Sequence, residues 1–322
     1  MAIKLSSRQI TYNDSTTESS AKTGSRVIFG YGYTSDGTRT AITNLVSNYG
    51  NVSADVTGVG TSRNSLAAAS YGGDKVIFGF GINNSANAVG TTNLVSNLGI
   101  VGNDVSAVGY AKTGVAAAAY GDDGQALFAF GYYQAISSYV GFTNLVSNIG
   151  VVAADTSPTS GTGRGYLGAG TYDNNKAVFA FGYTTGGGAW SYMNETNYFS
   201  NTGVWSGYGT TVSNVGRNYC SASSFGTGQV IFGLGSVSGG YTNKFSIMSN
   251  VAVWASDVTT VATARQGIAS ASYGGDKAIF GFGTTGVPQN MTNLVSNTGV
   301  VASDTTGVGT VRTGLAAGSY SS

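Results

Sequence analysis

Side chains suited to chemistry are scarce in this chain, and the scarcity narrows what it can do. There is no histidine among its 322 residues, which removes His-based triads, His metal ligation and the commonest general base. Glutamate occurs only at Glu18 and Glu195, whereas glycoside hydrolysis needs two carboxylates facing one bond. Asp122 and Asp123 are adjacent but fall in a Gly-Asp-Asp-Gly turn, where solvated turn residues are expected. Cys220, the single cysteine, has no histidine to activate it and lies in an apolar stretch. One charged pattern does recur. Asp55, Asp104, Asp155, Asp257 and Asp304 each precede a cation by eight or nine positions, at Arg63, Lys112, Arg164, Arg265 and Arg312. A further cation, Arg217, has Gly207 where the acid would fall. Guanidinium and carboxylate are natural partly buried partners, so these residues are expected to form structural charge pairs that tie neighbouring units or satisfy backbone carbonyls. The alternative use is a polar channel mouth that binds an anion. A metal site is disfavoured because aspartates in separate units would lie far apart. No catalytic, cofactor-binding or metal-binding residue is assigned, no cofactor is expected, and the chain reads as no enzyme.

The charged positions sit at equivalent points of a repeat, and the repeat is what must position them. The aromatic of its strongest block falls at Phe29, Phe78, Phe128, Phe179, Phe232 and Phe280, at spacings of 49, 50, 51, 53 and 48. The block Thr43-Asn-Leu-Val-Ser-Asn48 returns at 92–97, 143–148, 196–201 and 292–297. Each unit reads as four short strands. In the second unit, strand a is Leu66 to Tyr71, strand b Val76 to Gly81, strand c Thr92 to Asn97 and strand d about Ile100 to Val108. Gly72-Gly73-Asp74 is a hairpin signal between a and b, and the repeated Asn48, Asn97, Asn148, Asn201, Asn250 and Asn297 read as turn-formers between c and d. Strand b is a continuous apolar run, as expected when both faces are packed. Strand a is built from small residues such as Ala116 to Ala119, as crowded innermost strands require.

The array is cut out of phase. Residues 312–321 match the segment that precedes strand b in other units, while their own continuation, Arg26-Val-Ile-Phe-Gly-Tyr-Gly32, lies near the N-terminus. A period near fifty belongs to four-stranded propeller blades, and a split repeat is what closing a ring of sheets requires. The expected fold is all-β: a six-bladed β-propeller with four antiparallel strands per blade, closed by strand a at about 312–321 joining strands b to d at about 26–60. Residues 26–322 form the propeller. Residues 1–25 form an extension with short strands near Ala2 to Leu5 and Gln9 to Tyr12, either a loose tail or a docking arm.

Charged residues are 9% of the chain and net charge is +1, against about 25% charged in ordinary soluble domains. With 51 glycines and 2 prolines, the surface must be covered by Ser, Thr, Asn and Gly. Such a surface is easily desolvated, so a homo-oligomer or multi-copy assembly is expected. No basic stripe exists to neutralise phosphates, which argues against nucleic acid. No apolar run reaches membrane-spanning length, and the first residues lack the apolar core of a signal peptide.

The units differ most between strands b and c. These connections share one rim of the expected ring with the d–a connections, so variation collects on one face, as binding faces of repeat proteins do. Tyr132, Tyr133, Tyr139, Trp190, Tyr192 and Tyr241 lie in these loops and are the candidate partner-binding residues, since rigid aromatics on Gly/Ser-rich loops offer area at low entropic cost.

The pattern Arg-…-Leu-Ala-Ala-Ala-…-Tyr-Gly-Gly-Asp-Lys-Val-Ile-Phe-Gly-Phe-Gly over 63–81 resembles kelch-type blades. It departs from them in having Gly79-Phe-Gly81 for a Gly-Gly pair, and in placing late tryptophans, Trp205 and Trp254, in only two units. Thr292 to Gly309, Thr-Asn-Leu-Val-Ser-Asn-Thr-Gly-Val-Val-Ala-Ser-Asp-Thr-Thr-Gly-Val-Gly, is similar to repeats in structural proteins of tailed phages, particularly marine cyanophages. That resemblance implies a virion protein such as a tail fibre, appendage or capsid decoration. Its partners would be other virion proteins or a host-surface glycan or protein. A soluble carbohydrate-binding lectin of the same fold is the competing expectation.

Overall fold

Each apolar block of the repeat forms the central strand of an antiparallel sheet, and the protein is all-β. The computed structural model describes residues 4–6, 9–11, 17–18, 24–106, 108–156, 161–186, 189–210 and 215–321. The central strands, which number the sheets one to six, are Arg26–Gly30, Lys75–Gly79, Gln125–Ala129, Lys176–Ala180, Gln229–Gly233 and Lys277–Gly281. In all six the last four residues are buried, which is why these runs are apolar without alternation. Among the described residues the only helical element is a single turn, Gln134–Ile136.

On one side of each central strand lies a first strand of small residues: Ala67–Tyr71, Ala116–Tyr120, Gly168–Tyr172, Ser221–Phe225 and Ala269–Tyr273 in sheets two to six. Sheet one takes its first strand from the other end of the chain. Ala316–Tyr320 pairs with Arg26–Gly30, with Ala316 opposite Gly30 and Gly318 opposite Ile28. On the other side lie the third strands, Thr43–Val46, Thr92–Val95, Thr143–Val146, Glu195–Phe199, Lys244–Met248 and Thr292–Val295.

The fourth strand departs from expectation. Among the described residues it is a paired strand only in sheet four (Trp205–Thr210) and sheet five (Val258–Thr259). Elsewhere it shrinks to two isolated bridges, such as Thr92 with Val105 and Val95 with Val101. Between the two bridges Asn93 in the third strand turns its Nδ2 to the carbonyl of Gly102 and to Asp104, at 3.0 and 2.9 Å, so a side-chain amide fills the gap in the ladder. Asn44 and Asn293 do the same.

The first strands neighbour one another in the order sheet two, three, four, five, six and one, and the strand of sheet one lies beside that of sheet two. Two series of backbone hydrogen bonds follow the same order. At one end Gly114 N donates to Ser65 O, Tyr166 to Gly114, Tyr219 to Tyr166, Gly267 to Tyr219, Gly314 to Gly267 and Ser65 back to Gly314, all at 2.7–3.0 Å. At the other end the hairpins join: Gly72 N to Gly124 O, Gly121 to Asn175, Asp173 to Gly228, Gly226 to Asp276, Gly274 to Ser25 and Ser321 back to Asp74.

Small residues in the first strands have a contact reason. A Cβ on Gly168 would come within 2.9 Å of the Phe232 ring, and one on Gly318 within 2.5 Å of a Val76 methyl. Each core cluster therefore lies between two neighbouring sheets. The cluster holding Val27, Phe29 and Leu315 of sheet one against Ala269, Ile279 and Phe282 of sheet six spans both ends of the chain.

In the hairpins between third and fourth strands, serine rather than asparagine holds the turn. Ser47, Ser96, Ser147, Ser200, Ser249 and Ser296 Oγ each accept the N–H four residues on. Asn297 instead reaches Asp276 at 3.1 Å. Most of residues 1–25, including the suggested docking arm, lies outside the described residues; within it Lys4–Ser6 pairs with Gln9–Thr11, and Gln9–Thr11 with Thr17–Glu18.

Candidate binding face

Six cations, Arg63, Lys112, Arg164, Arg217, Arg265 and Arg312, stand just ahead of the first strands and are exposed by no more than 1%. Their carboxylates are not the ones eight or nine residues upstream. Asp55 serves Arg312 (3.7 Å), Asp104 serves Arg63 (3.9 Å), Asp155 serves Lys112 (2.9 Å), Asp257 serves Arg217 (3.1 Å) and Asp304 serves Arg265 (3.5 Å). Each acid thus returns to the cation at the start of its own sheet. The unit lacking an aspartate is the fourth, which holds Gly207, and there Glu195 from the third strand stands in for it, 3.5 Å from Arg164.

The partners that sequence reasoning missed are a polar side chain and a ring. Asn93, Asn144, Asn197, Ser246 and Asn293 each accept from the cation of their sheet at 2.7 Å, and Asn44 accepts from Arg312. The ring comes from the preceding sheet: Arg63 lies 4.2 Å from the centre of Tyr31, Arg164 4.4 Å from Phe130, Arg217 4.3 Å from Phe181 and Arg312 4.4 Å from Phe282. These aromatics follow the central strands at positive φ (66° for Tyr31, 63° for Phe80 and Phe282), a conformation that costs on the order of 1 kcal/mol or more for a side-chain-bearing residue. The glycine that follows each of them was their signal. The left-handed turn swings the ring out of its strand and under the next sheet's cation, so the cations do tie neighbouring units, by their faces rather than by ion pairs.

Burial lowers Arg164, Arg265 and Arg312 to about 10, partly offset by Glu195, Asp304 and Asp55, so all three stay charged at neutral pH. Burial alone would raise Asp304, but hydrogen bonds from Thr263 and Asn293 and the Arg265 charge hold it below the usual carboxylate range. Asp55 and Asp104 are held down in the same way. Enclosed like this, the six cations offer no open anion site.

The connections between second and third strands and those leading into first strands share one face. Arg63–Asn64 pairs with Ile82–Asn83, and Lys112–Thr113 pairs with Tyr132–Tyr133, which pairs on with Ser138–Tyr139. Loops of the first three sheets are laced together by side-chain amides. Asn84 accepts from Arg39 N at 2.8 Å and donates to Arg39 O at 3.3 Å, and Gln134 accepts from Ala88 N at 2.8 Å and donates to Ala86 O at 3.1 Å. Variable residues are therefore held on a fixed surface.

Tyrosines gather over sheets three to five. Tyr132 packs on Tyr139 (5.2 Å between ring centres), Tyr139 on Tyr183 (5.6 Å) and Tyr183 on Tyr192 (6.1 Å). Tyr133 lies against Tyr110 at 4.6 Å, and Tyr110, 48% exposed, also touches Phe142. Tyr110 has no counterpart among the expected residues; it occupies the place that Thr61, Thr263 and Thr310 hold in other sheets, and its N–H still bonds Asp155 at 2.6 Å. Tyr241, 38% exposed, is carried by a separate hairpin of Ser236–Val237 and Gly240–Tyr241. The side chain of Trp190 lies outside the described residues.

Tyr166 and Tyr219 stack at 4.1 Å where the first strands begin, at positions that are Gly or Ser in the other four sheets. They border a cavity of about 110 Å³ lined by the first strands. A second cavity of about 260 Å³ lies toward the hairpin end. Its hydroxyls already serve neighbouring strands, as in Ser70 to Ser319 O (2.7 Å) and Ser224 to Thr171 O (2.6 Å). Cys220 is buried, and burial pushes its thiol up to about 11. Among the described residues no three Cys, Asp or Glu side chains come together to hold a metal, and no helix is long and apolar enough to cross a membrane. The arrangement offers ring edges and neutral hydrogen-bonding loops on one face. No known family model matches the chain, and no curated protein matches it in sequence.

Proposed function

We propose that the chain is a six-bladed, kelch-like β-propeller that works without catalysis as a virion structural and adhesion subunit, presenting its variable-loop face to a host surface or to a virion partner. The observation that carries this reading is the laced loop face with its Tyr110–Tyr133–Phe142 platform, in which an exposed Tyr110 lies on two half-buried rings. Loops preorganised by neighbouring sheets lose little entropy when they bind, and aromatic rings supply contact area at few rotatable bonds. The return of both hydrogen-bond series to their starting sheet supports the closed ring. The similarity of residues 292–309 to tailed-phage repeats supports the particle.

The exposed Tyr110 also favours a second reading, a soluble lectin, because neutral sugars stack on tyrosine faces and need no charged partner. Two measurements separate the readings. Mass spectrometry of purified particles should find the chain in the virion, and binding of purified protein to host cells should fall at least about tenfold, or about 1.4 kcal/mol, in Y110A/Y133A. Retention on a glycan array with no chain in the particle would transfer the proposal to the lectin. Unchanged cell binding in Y110A/Y133A would remove the loop platform from either.

A further inference from the structure

The face opposite the loops carries a second repeated feature. Its hairpins between third and fourth strands end in bare apolar side chains, at least one in every sheet: Tyr49, Leu98, Ile149, Val204, Val251 and Val300, exposed from 58% at Val204 to 77% at Tyr49, with Ile100, Val151 and Val253 beside three of them. The core does not account for them. The hairpin serines already close these turns, and the buried contribution of each hairpin comes from other residues, such as Val52, Val101, Val152 and Trp205, which pack against the core clusters. The hairpins share this face with the turns between first and second strands: a Cβ on Gly72 would meet Asn148 O, and one on Gly274 would meet Asn48 O.

Those neighbouring turns carry both signs of charge. Asp74 pairs with Lys75, Asp173 with Lys176 and Asp276 with Lys277, at 2.5, 2.8 and 2.8 Å, so the pairs occupy alternate sheets.

We propose that this hairpin face docks on the same face of a second copy of the chain, giving a closed dimer with both loop faces outward. Three observations choose that occupant. The apolar tips recur with the sheets, so a twofold axis across the face sets tips against tips, the self-complementary form an isologous contact needs. Three of the turns hold an acid beside a base, so the same operation can set Lys against Asp. A twofold axis that lays sheet three on sheet one brings the exposed Asp122 and Asp123 toward the exposed Arg26 rather than onto themselves, whereas a partner of one sign would gain nothing. Six side chains exposing on the order of 100 Å² each supply most of the roughly 800 Å² that one partner contributes to a standard interface. The proposal goes beyond the loop-face reading and stands whether or not the chain is a virion protein.

Sedimentation of the full chain at micromolar concentration tests it. The wild type should sediment as a dimer, and L98S/I149S/V251S should dissociate at least about tenfold more readily with circular dichroism and melting temperature unchanged. A cysteine probe removes dependence on that triple variant: in a C220S background, L98C should oxidise to a covalent dimer, while S85C on the loop face should not. A monomeric wild type overturns the proposal. So do assemblies growing past two copies, because a face-to-face contact closes on itself, and a dimer that L98S/I149S/V251S leaves intact or that S85C captures instead.

Discussion

At the scale of the residue, the decisive objects are the six enclosed cations. Each is desolvated and then met by an amide or hydroxyl and a carboxylate, the arginines also by backbone carbonyls, and in most sheets by a ring. For Arg265 these are Asn293 at 2.7 Å, Asp304 at 3.5 Å, and the carbonyls of Thr263 and Phe282 at 3.1 and 2.8 Å. Removing the amide leaves a buried guanidinium N–H unsatisfied, so Asn293→Leu should cost about 1 to 3 kcal/mol, read by urea unfolding. R265M/N293L should recover much of it, because an apolar pair carries no desolvation penalty. Acid should act on the carboxylates. Asp55, Asp104 and Asp304 have pKa values below their unfolded values, so their stabilisation is complete above the ordinary carboxylate pKa and is lost as pH falls through the lowered ones. Urea midpoints should therefore drop at acid pH, and D304N should show a smaller drop than wild type. Tyr31 behaves oppositely. Burial, partly offset by Arg63, pushes its hydroxyl up to about 12. Its contribution is whole below the unfolded tyrosine pKa and is lost as pH rises toward the folded one. Ultraviolet titration should show a late-ionising tyrosine that Y31F removes.

At the scale of the element, close approach decides which substitutions a strand or loop tolerates. Gly58 has an ordinary φ, yet a Cβ there would run into the backbone of Ala41, because the fourth-strand segment crosses the end of the second-to-third connection. Gly58→Ala should lose about 1 to 3 kcal/mol through overpacking. Gly209, in the paired fourth strand of sheet four, has nothing within 4 Å of the same position, and Gly209→Ala should change stability by less than about 0.5 kcal/mol. Thermal melts of the two variants make the comparison, and equal effects would refute the packing argument.

At the scale of the whole molecule, the ends of the chain meet in one sheet. Residues 312–320 supply Leu315 and Ala317 to the core between sheets six and one, and Arg312 reaches Asn44 and Asp55. A chain ending at 309 should not fold. A circular permutant should: joining 321 to 24 recreates the hairpin present in the other sheets, and new ends can open at the exposed Asp122–Asp123 turn. Its stability should stay within about 1 kcal/mol of the parent, measured by urea unfolding. Collapse of the permutant would count against the closed ring.

Much of this was readable in the chain. The apolar runs, the small first strands, the Gly-rich hairpins and the joining of the last strand to the stretch beginning at residue 26 all follow from repetition, because each unit must bury the same faces against the next. The tyrosines of the loop face could be collected from their place in the variable connections. Pairing could not be collected that way. Asp55 lies eight residues from Arg63 in sequence and yet serves Arg312, since a fourth-strand segment lies back along its own sheet while the chain walks on to the next. Tyr110 joined the loop face for the same reason. A repeat specifies what each position buries, but which copy supplies the partner is settled only when neighbouring sheets are brought into contact.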